Sequence, residues 1–150
     1  MRKITAIVLH CTASPQTQTV KAITDYWKKV MGWKKPGYHH LISPDGTDNQ
    51  LLPISEVSNG VQGFNSHSIH ISYIGGVDSL GKPIDNRTEA QLLTMEMLVR
   101  NYHKAFPDAE IKGHRDFSVD KNRDGIIQPS EWMKTCPSFS VSEWIKKIKL

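Results

Sequence analysis

The segment Ile4 to Cys11, Ile-Thr-Ala-Ile-Val-Leu-His-Cys, constrains this chain most. Ile4, Ala6, Val8 and His10 fall on one side of an extended chain, and Thr5, Ile7, Leu9 and Cys11 on the other. Both sides are apolar almost throughout, so the segment reads as an interior strand that needs cover on two faces. Such a strand belongs in a sheet flanked by helices. The carboxyl end of this one delivers His10.

The rest of the chain supplies the cover. Val20, Ile23, Trp27 and Val30 recur at helical spacing, and Gly32 and Pro36 mark the exit. Tyr38 to Ile42 reads as a second strand, Pro44-Asp45-Gly46 as a turn, and Gln50 to Pro53 as the returning hairpin strand. Ser55 to Ser68 is irregular and is expected to line a groove. Ile69 to Ile74 is another strand, ended by Gly75-Gly76, and Val77 to Arg87 is loop. Thr88 with Gln91 makes a capping box ahead of Leu92, Met95, Val99, Tyr102 and Phe106. Ala109 to Lys112 is a short strand leading into His114, and Ser140 with Glu143 caps a last helix carrying Trp144. Strands alternate with helices, without repeats. The expected class is α/β: a single domain over residues 1–150, with a mixed central β-sheet flanked by helices on both faces.

Composition removes several functions. At 150 residues the chain can bury roughly 70% of its unfolded surface without staples. Its charge of +4 is too small to argue for nucleic acid. No apolar run approaches the ~20 residues of a membrane span. Met1-Arg2-Lys3 is basic, but the apolar stretch behind it breaks at His10 and no cleavage site follows, so no signal peptide is expected. Synthesis in the cytoplasm is the corollary. Cys11 and Cys136 leave two options open, one disulfide or two thiols.

A catalytic zinc uses three protein ligands from His, Cys or carboxylate and keeps a fourth position for water. His10 ends a strand, His114 follows one, and Cys136 lies in a loop before the last helix. Their wide spacing favours an ordinary structural reading by itself. The order of the motifs changes that weight. Val8-Leu9-His10-Cys11-Thr12-Ala13, Gly37-Tyr38-His39, Phe64-Asn65 with Ser68-Ile69, Gly75-Gly76, His114 and Lys134-Thr135-Cys136-Pro137-Ser138-Phe139 follow one another along the chain. The set resembles the zinc-dependent N-acetylmuramoyl-L-alanine amidases of the phage-lysozyme type, in the superfamily of the peptidoglycan recognition proteins. The resemblance covers essentially the whole chain.

The resemblance implies zinc on His10, His114 and Cys136, with Tyr38 and Lys134 assisting catalysis without binding metal. It implies hydrolysis of the amide between N-acetylmuramic acid and L-alanine of peptidoglycan, and so lysis of cell walls. In that chemistry Lys134 would face the developing oxyanion and Tyr38 would orient water or carry its proton. Cys11 matches a cysteine that does not bind metal, which argues against its pairing with Cys136. Asn65 and His67 are the candidate substrate contacts, with His67 reading first as a surface histidine. One departure stands out: Gly60 occupies a loop position where many relatives carry histidine. His39 is a structural candidate, and His40, His70 and His103 receive no catalytic role. The expected actor is a monomer, a phage or prophage lysin or an exported effector that meets peptidoglycan after release. Competing readings are a peptidoglycan-binding module without catalysis and a hydrolase using Cys136 as nucleophile.

A second motif lies outside the resemblance. Asp120, Asn122, Asp124 and Gly125, the Ile126 carbonyl and Glu131 match a calcium-binding loop at every prescribed position. No amphipathic helix enters it. Calcium there would order the segment between His114 and Cys136.

Overall fold

The structure, a computed structural model, describes residues 2–150; Met1, the first residue of the basic amino terminus, lies outside them. Five strands form one sheet: β1 (Ala6–Cys11), β2 (His40–Ile42), β3 (Asp48–Gln50), β4 (Ser68–Tyr73) and β5 (Glu110–Gly113), in spatial order β3-β2-β4-β1-β5. β1 pairs in parallel with β4 and β5, β2 in parallel with β4, and only the β2–β3 hairpin is antiparallel. The expected class and mixed sheet are what the chain adopts. β1 is interior and every one of its six residues is buried.

Register gives the sheet two unlike faces. Ile7, Leu9 and Cys11 align with Ile69, Ile71 and Tyr73. This apolar face meets Met95, Leu98 and Val99 of α2 (Glu89–Ala105) and Val141 and Trp144 of α3 (Val141–Lys147). On the other face Ala6, Val8 and His10 align with Ser68, His70 and Ser72. Small and polar side chains there leave room for chemistry. α1 (Val20–Lys29) belongs to this second side, where Trp27 packs edge-on against Tyr38 at a centroid distance of 5.4 Å.

The caps behave as read. Thr88 and Gln91 exchange both bonds of the capping box. Buried Gln91 also donates from Nε2 to the Ile42 and Ile74 carbonyls, tying α2 to the ends of two strands. Ser140 caps α3, and Thr19 caps α1 by accepting from the Ala22 amide at 3.0 Å.

The hairpin differs from expectation. Its return strand is Asp48–Gln50, not Gln50 to Pro53. The turn is tight: the Gly46 amide donates to the Ser43 carbonyl and the Ser43 amide to the Thr47 carbonyl. Pairing therefore begins at once, with Ile42 opposite Asp48. The ladder ends soon after the Leu51 amide reaches the His39 carbonyl, because Pro53 has no amide to give. Short 3-10 turns at Asn65–His67, His114–Phe117 and Pro129–Glu131 carry no periodic signal and were not expected.

Candidate functional site

Three distant segments converge at the carboxyl end of β1. His10 is the fifth residue of that strand and is wholly buried. His114 opens the 3-10 turn after β5, where the Asp116 carboxylate accepts from the Gly113 amide at 2.7 Å. Cys136 comes from the loop before α3, anchored by the Arg115 amide donating to the Cys136 carbonyl at 2.9 Å. One ligand atom from each of His10, His114 and Cys136 lies within 4.8 Å of the others, the only such cluster of His, Cys, Asp or Glu among the described residues.

This donor set fits zinc. Tetrahedral bonds of about 2.3 Å to sulfur and 2.0 Å to nitrogen put those two atoms about 3.5 Å apart. Cys136 Sγ lies 3.7 Å from His10 Nδ1. Both cysteines are free, and the Cys11 amide donates to Cys136 Sγ at 3.2 Å. A cation would meet ready ligands at the imidazoles. Burial, then His70, His114 and Lys134, holds His10 well below the ordinary histidine value, and burial followed by Lys134 lowers His114 to about 4. Both are neutral at pH 7. Burial pushes the Cys136 thiol well up, so its thiolate needs an adjoining cation.

Two hollows meet at this cluster. A cavity of about 260 Å³ is lined by Cys136, His114, Lys134 and Tyr38 together with Trp27, Trp33, Tyr26 and Met31. A second, of about 540 Å³, shares Trp33, Asn59, Gly60, His114 and Lys134 and continues along Val61 to Gly63 and Asn65. Together they form one groove with an apolar wall and a basic mouth. A larger hollow of about 660 Å³ between α2 and α3 is lined by none of His10, His114 and Cys136.

The remaining expected residues divide. Tyr38 stacks obliquely on His10 at 4.9 Å between centroids, and its hydroxyl donates to the Cys11 carbonyl at 3.2 Å. Burial raises its pKa, so it is a proton-bearing phenol at neutral pH. Lys134 is exposed at the groove mouth. Asn65 lines the groove, but its Oδ1 is engaged by the Val61 amide at 2.7 Å. His67 lines neither hollow; it is exposed, with Nδ1 3.2 Å from the Lys3 carbonyl. A substrate contact by His67 is thus not what the fold provides, because the 3-10 turn aims it toward the amino terminus. His40 bonds Asp48 and Tyr102 on the α2 face.

The 120–131 loop is closed on itself. The Glu131 carboxylate, expected as a bidentate cation ligand, accepts from the Lys121, Asn122 and Gln128 amides. Asp124 Oδ1 accepts from the Ile126 amide, and Asp120 Oδ2 from Gly125. Asp120 Oδ1 is buried without a partner.

Sequence reasoning gave His70 no role, yet its Nδ1 lies 2.8 Å from His10 Nε2. The available signal was Ser68, His70 and Ser72 alternating with isoleucines in a fully buried strand.

Comparison with known proteins agrees with this geometry. The family described as N-acetylmuramoyl-L-alanine amidase matches residues 1–138. The endolysin of Klebsiella phage KP32 is 32% identical over 146 residues, covering 96% of this chain and 87% of that protein. The endolysin of Escherichia phage T7 is 31% identical over 147 residues, covering 97% and 87%. Among solved structures, the Ph2119 endolysin from Thermus scotoductus MAT2119 bacteriophage Ph2119 superposes with a TM-score of 0.75 at 27% identity, covering 98% of this chain and 86% of the other.

Proposed function

The chain belongs to the N-acetylmuramoyl-L-alanine amidase family, and from that membership we propose a zinc-dependent enzyme cutting between N-acetylmuramic acid and L-alanine. It is an amidase of peptidoglycan. The observation that carries the zinc reading is the meeting of His10, His114 and Cys136 at the head of the groove. These three residues would hold the ion. Zinc, when bound, polarises a carbonyl and lowers the pKa of its water to about 7.

The chain's own residues do the rest. The groove walls of Trp33, Tyr26 and Met31 receive the substrate and exclude water from one side. Lys134 brings a positive charge to the mouth, where the amide oxygen gains negative charge as its carbon becomes tetrahedral. Tyr38, neutral and beside His10, would take the proton of the attacking water on its oxygen as it gives its own phenolic proton to the leaving nitrogen, and so ends neutral. Asn65 is assigned to substrate through the groove it lines.

Residues 1–150 are read as one amidase domain acting as a monomer on peptidoglycan reached by release or export. The phage endolysins among its relatives support a lysin. Among the described residues no helix is long and apolar enough to cross a membrane. For the 120–131 loop calcium is a second proposal, drawn from the motif and the unpartnered Asp120 Oδ1, and it requires Glu131 and Asp124 to release the amides they now accept from.

Digestion of purified peptidoglycan, with and without chelator, tests the main reading. Stem peptides beginning at L-alanine, released only without chelator, are the expected products. A binding module would release nothing, and a Cys136 nucleophile would work in chelator; either result ends the zinc reading.

A further inference from the structure

The two ring nitrogens of His10 face different neighbours. Nδ1 is turned to Cys136 Sγ at 3.7 Å, and Nε2 to His70 Nδ1 at 2.8 Å. If Nδ1 takes the metal, Nε2 carries the hydrogen and donates it to His70. We propose that His70 is a positioning residue that fixes the tautomer and ring orientation of His10, and that Gly60 is glycine to make room for it. This rests on the zinc reading above.

Gly60 carries the argument furthest. A Cβ at that position would stand 2.3 Å from His70 Nδ1 and 2.4 Å from its Cγ. Ordinary contacts never come so close, so position 60 and the His70 ring exclude one another unless residue 60 has no side chain. The ring is clamped from behind as well. The His70 amide donates to His39 Nδ1 at 3.0 Å, and the two rings lie parallel, 4° apart in plane, at 6.0 Å. His39 Nε2 in turn lies 2.8 Å from the Glu56 carbonyl. The His70 imidazole is wholly buried on the small, polar face of β4, and its bond to His10 offsets the cost at Nδ1 while Nε2 is buried without a partner.

Metal-bound histidines usually give their second N–H to a carboxylate or a carbonyl. A neutral imidazole does the orienting without adding negative charge. The arrangement also explains why His70 sits diagonally from His10, one pair along the parallel ladder, where Val8 faces His70 and His10 faces Ser72.

The test is zinc affinity by competition with a chromophoric chelator, with circular dichroism to confirm folding. His70→Leu is expected to bind zinc about 10–100-fold more weakly. His70→Asn, whose Oδ1 stands near the Nδ1 position, should recover most of that loss. Gly60→Ala should reproduce the weakening although its methyl touches no ligand. The absorption bands of cobalt-loaded protein should shift in His70→Leu and Gly60→Ala and not in His70→Asn. In metal-free wild type, nitrogen-15 spectra should show His10 protonated at Nε2, a readout that needs no variant to fold. Wild type that binds no zinc would remove the zinc reading itself. Wild type that binds zinc while His70→Leu and Gly60→Ala bind it equally well, or His10 protonated at Nδ1, overturns the positioning role alone.

Discussion

Cys136 Sγ reaches to 3.7 Å from His10 Nδ1 across 126 positions of sequence. No local segment contains the site, so it exists only when the sheet and the closing loop are both in place. Cys136→Ser should keep the fold, since both side chains are small and the position is buried. It should lower zinc affinity by more than the roughly 10–100-fold typical of an outer partner and abolish release of stem peptides. Metal analysis after dialysis, beside a turbidity assay on peptidoglycan, checks this; full zinc content in the variant would refute Cys136 as a ligand.

Lys134 and Tyr38 should separate from the ligands in their effects. Lys134 is exposed, so Lys134→Ala should change stability by no more than about 0.5 kcal/mol. It should lower kcat by about 10²–10³ if the ammonium faces the oxyanion. Tyr38→Phe should cost about 10² or more in kcat through the lost proton carrier. Zinc content should stay at wild-type level in both. Unchanged kcat with zinc bound would remove these roles.

Metal-free protein should weaken in acid. Burial lowers His39 and His114 to about 4 and His70 to about 3, from an ordinary 6.5, and holds His10 low too. Below pH 6.5 the unfolded chain takes up protons that the folded chain refuses, so stability is full above that pH and falls toward pH 4. The slope should reach about 1.4 kcal/mol per pH unit for His70 between its unfolded and folded values, with His10 adding in the same direction. Urea midpoints between pH 7 and 4 measure it, and a flat series would contradict neutral burial.

Gly76→Ala should destabilise the protein by roughly 1–3 kcal/mol. Gly76 has φ +95°, and a Cβ there would lie 2.4 Å from Cys11 Sγ. The Cys11 amide also supports Cys136, so zinc affinity should fall with the melting temperature. A variant as stable as wild type would show that the strand end yields freely.

Calcium titration of the zinc-loaded protein should give heat and a higher melting temperature, both lost in Asp120→Ala. Silence in calorimetry would leave the loop held by the amides that Glu131, Asp124 and Asp120 accept from.

The sheet, the capped helices and the meeting of His10, His114 and Cys136 were legible because each leaves a mark in the sequence. β1 shows as an unbroken apolar run, α2 as a Thr88–Gln91 box ahead of an apolar stripe, and the three converging residues as motif blocks in order. The start of β3 was not legible, since one tight turn shifts it by two residues without altering the pattern. Asp120, Asn122 and Glu131 show the limit of a motif: the same oxygens that suit a cation also suit backbone amides. His70 needed the pairing of β1 with β4, which no single stretch encodes.

The two unlike faces of β4 have a consequence for assembly. A slip of this strand by one position against β1 would bring Ile69 and Ile71 to the groove side and drive the His70 imidazole in among α2 and α3. Such a molecule would keep a sheet and most of its helices and still be inert. Turnover on cell walls therefore reports correct strand alignment more sharply than any measure of helix or sheet content.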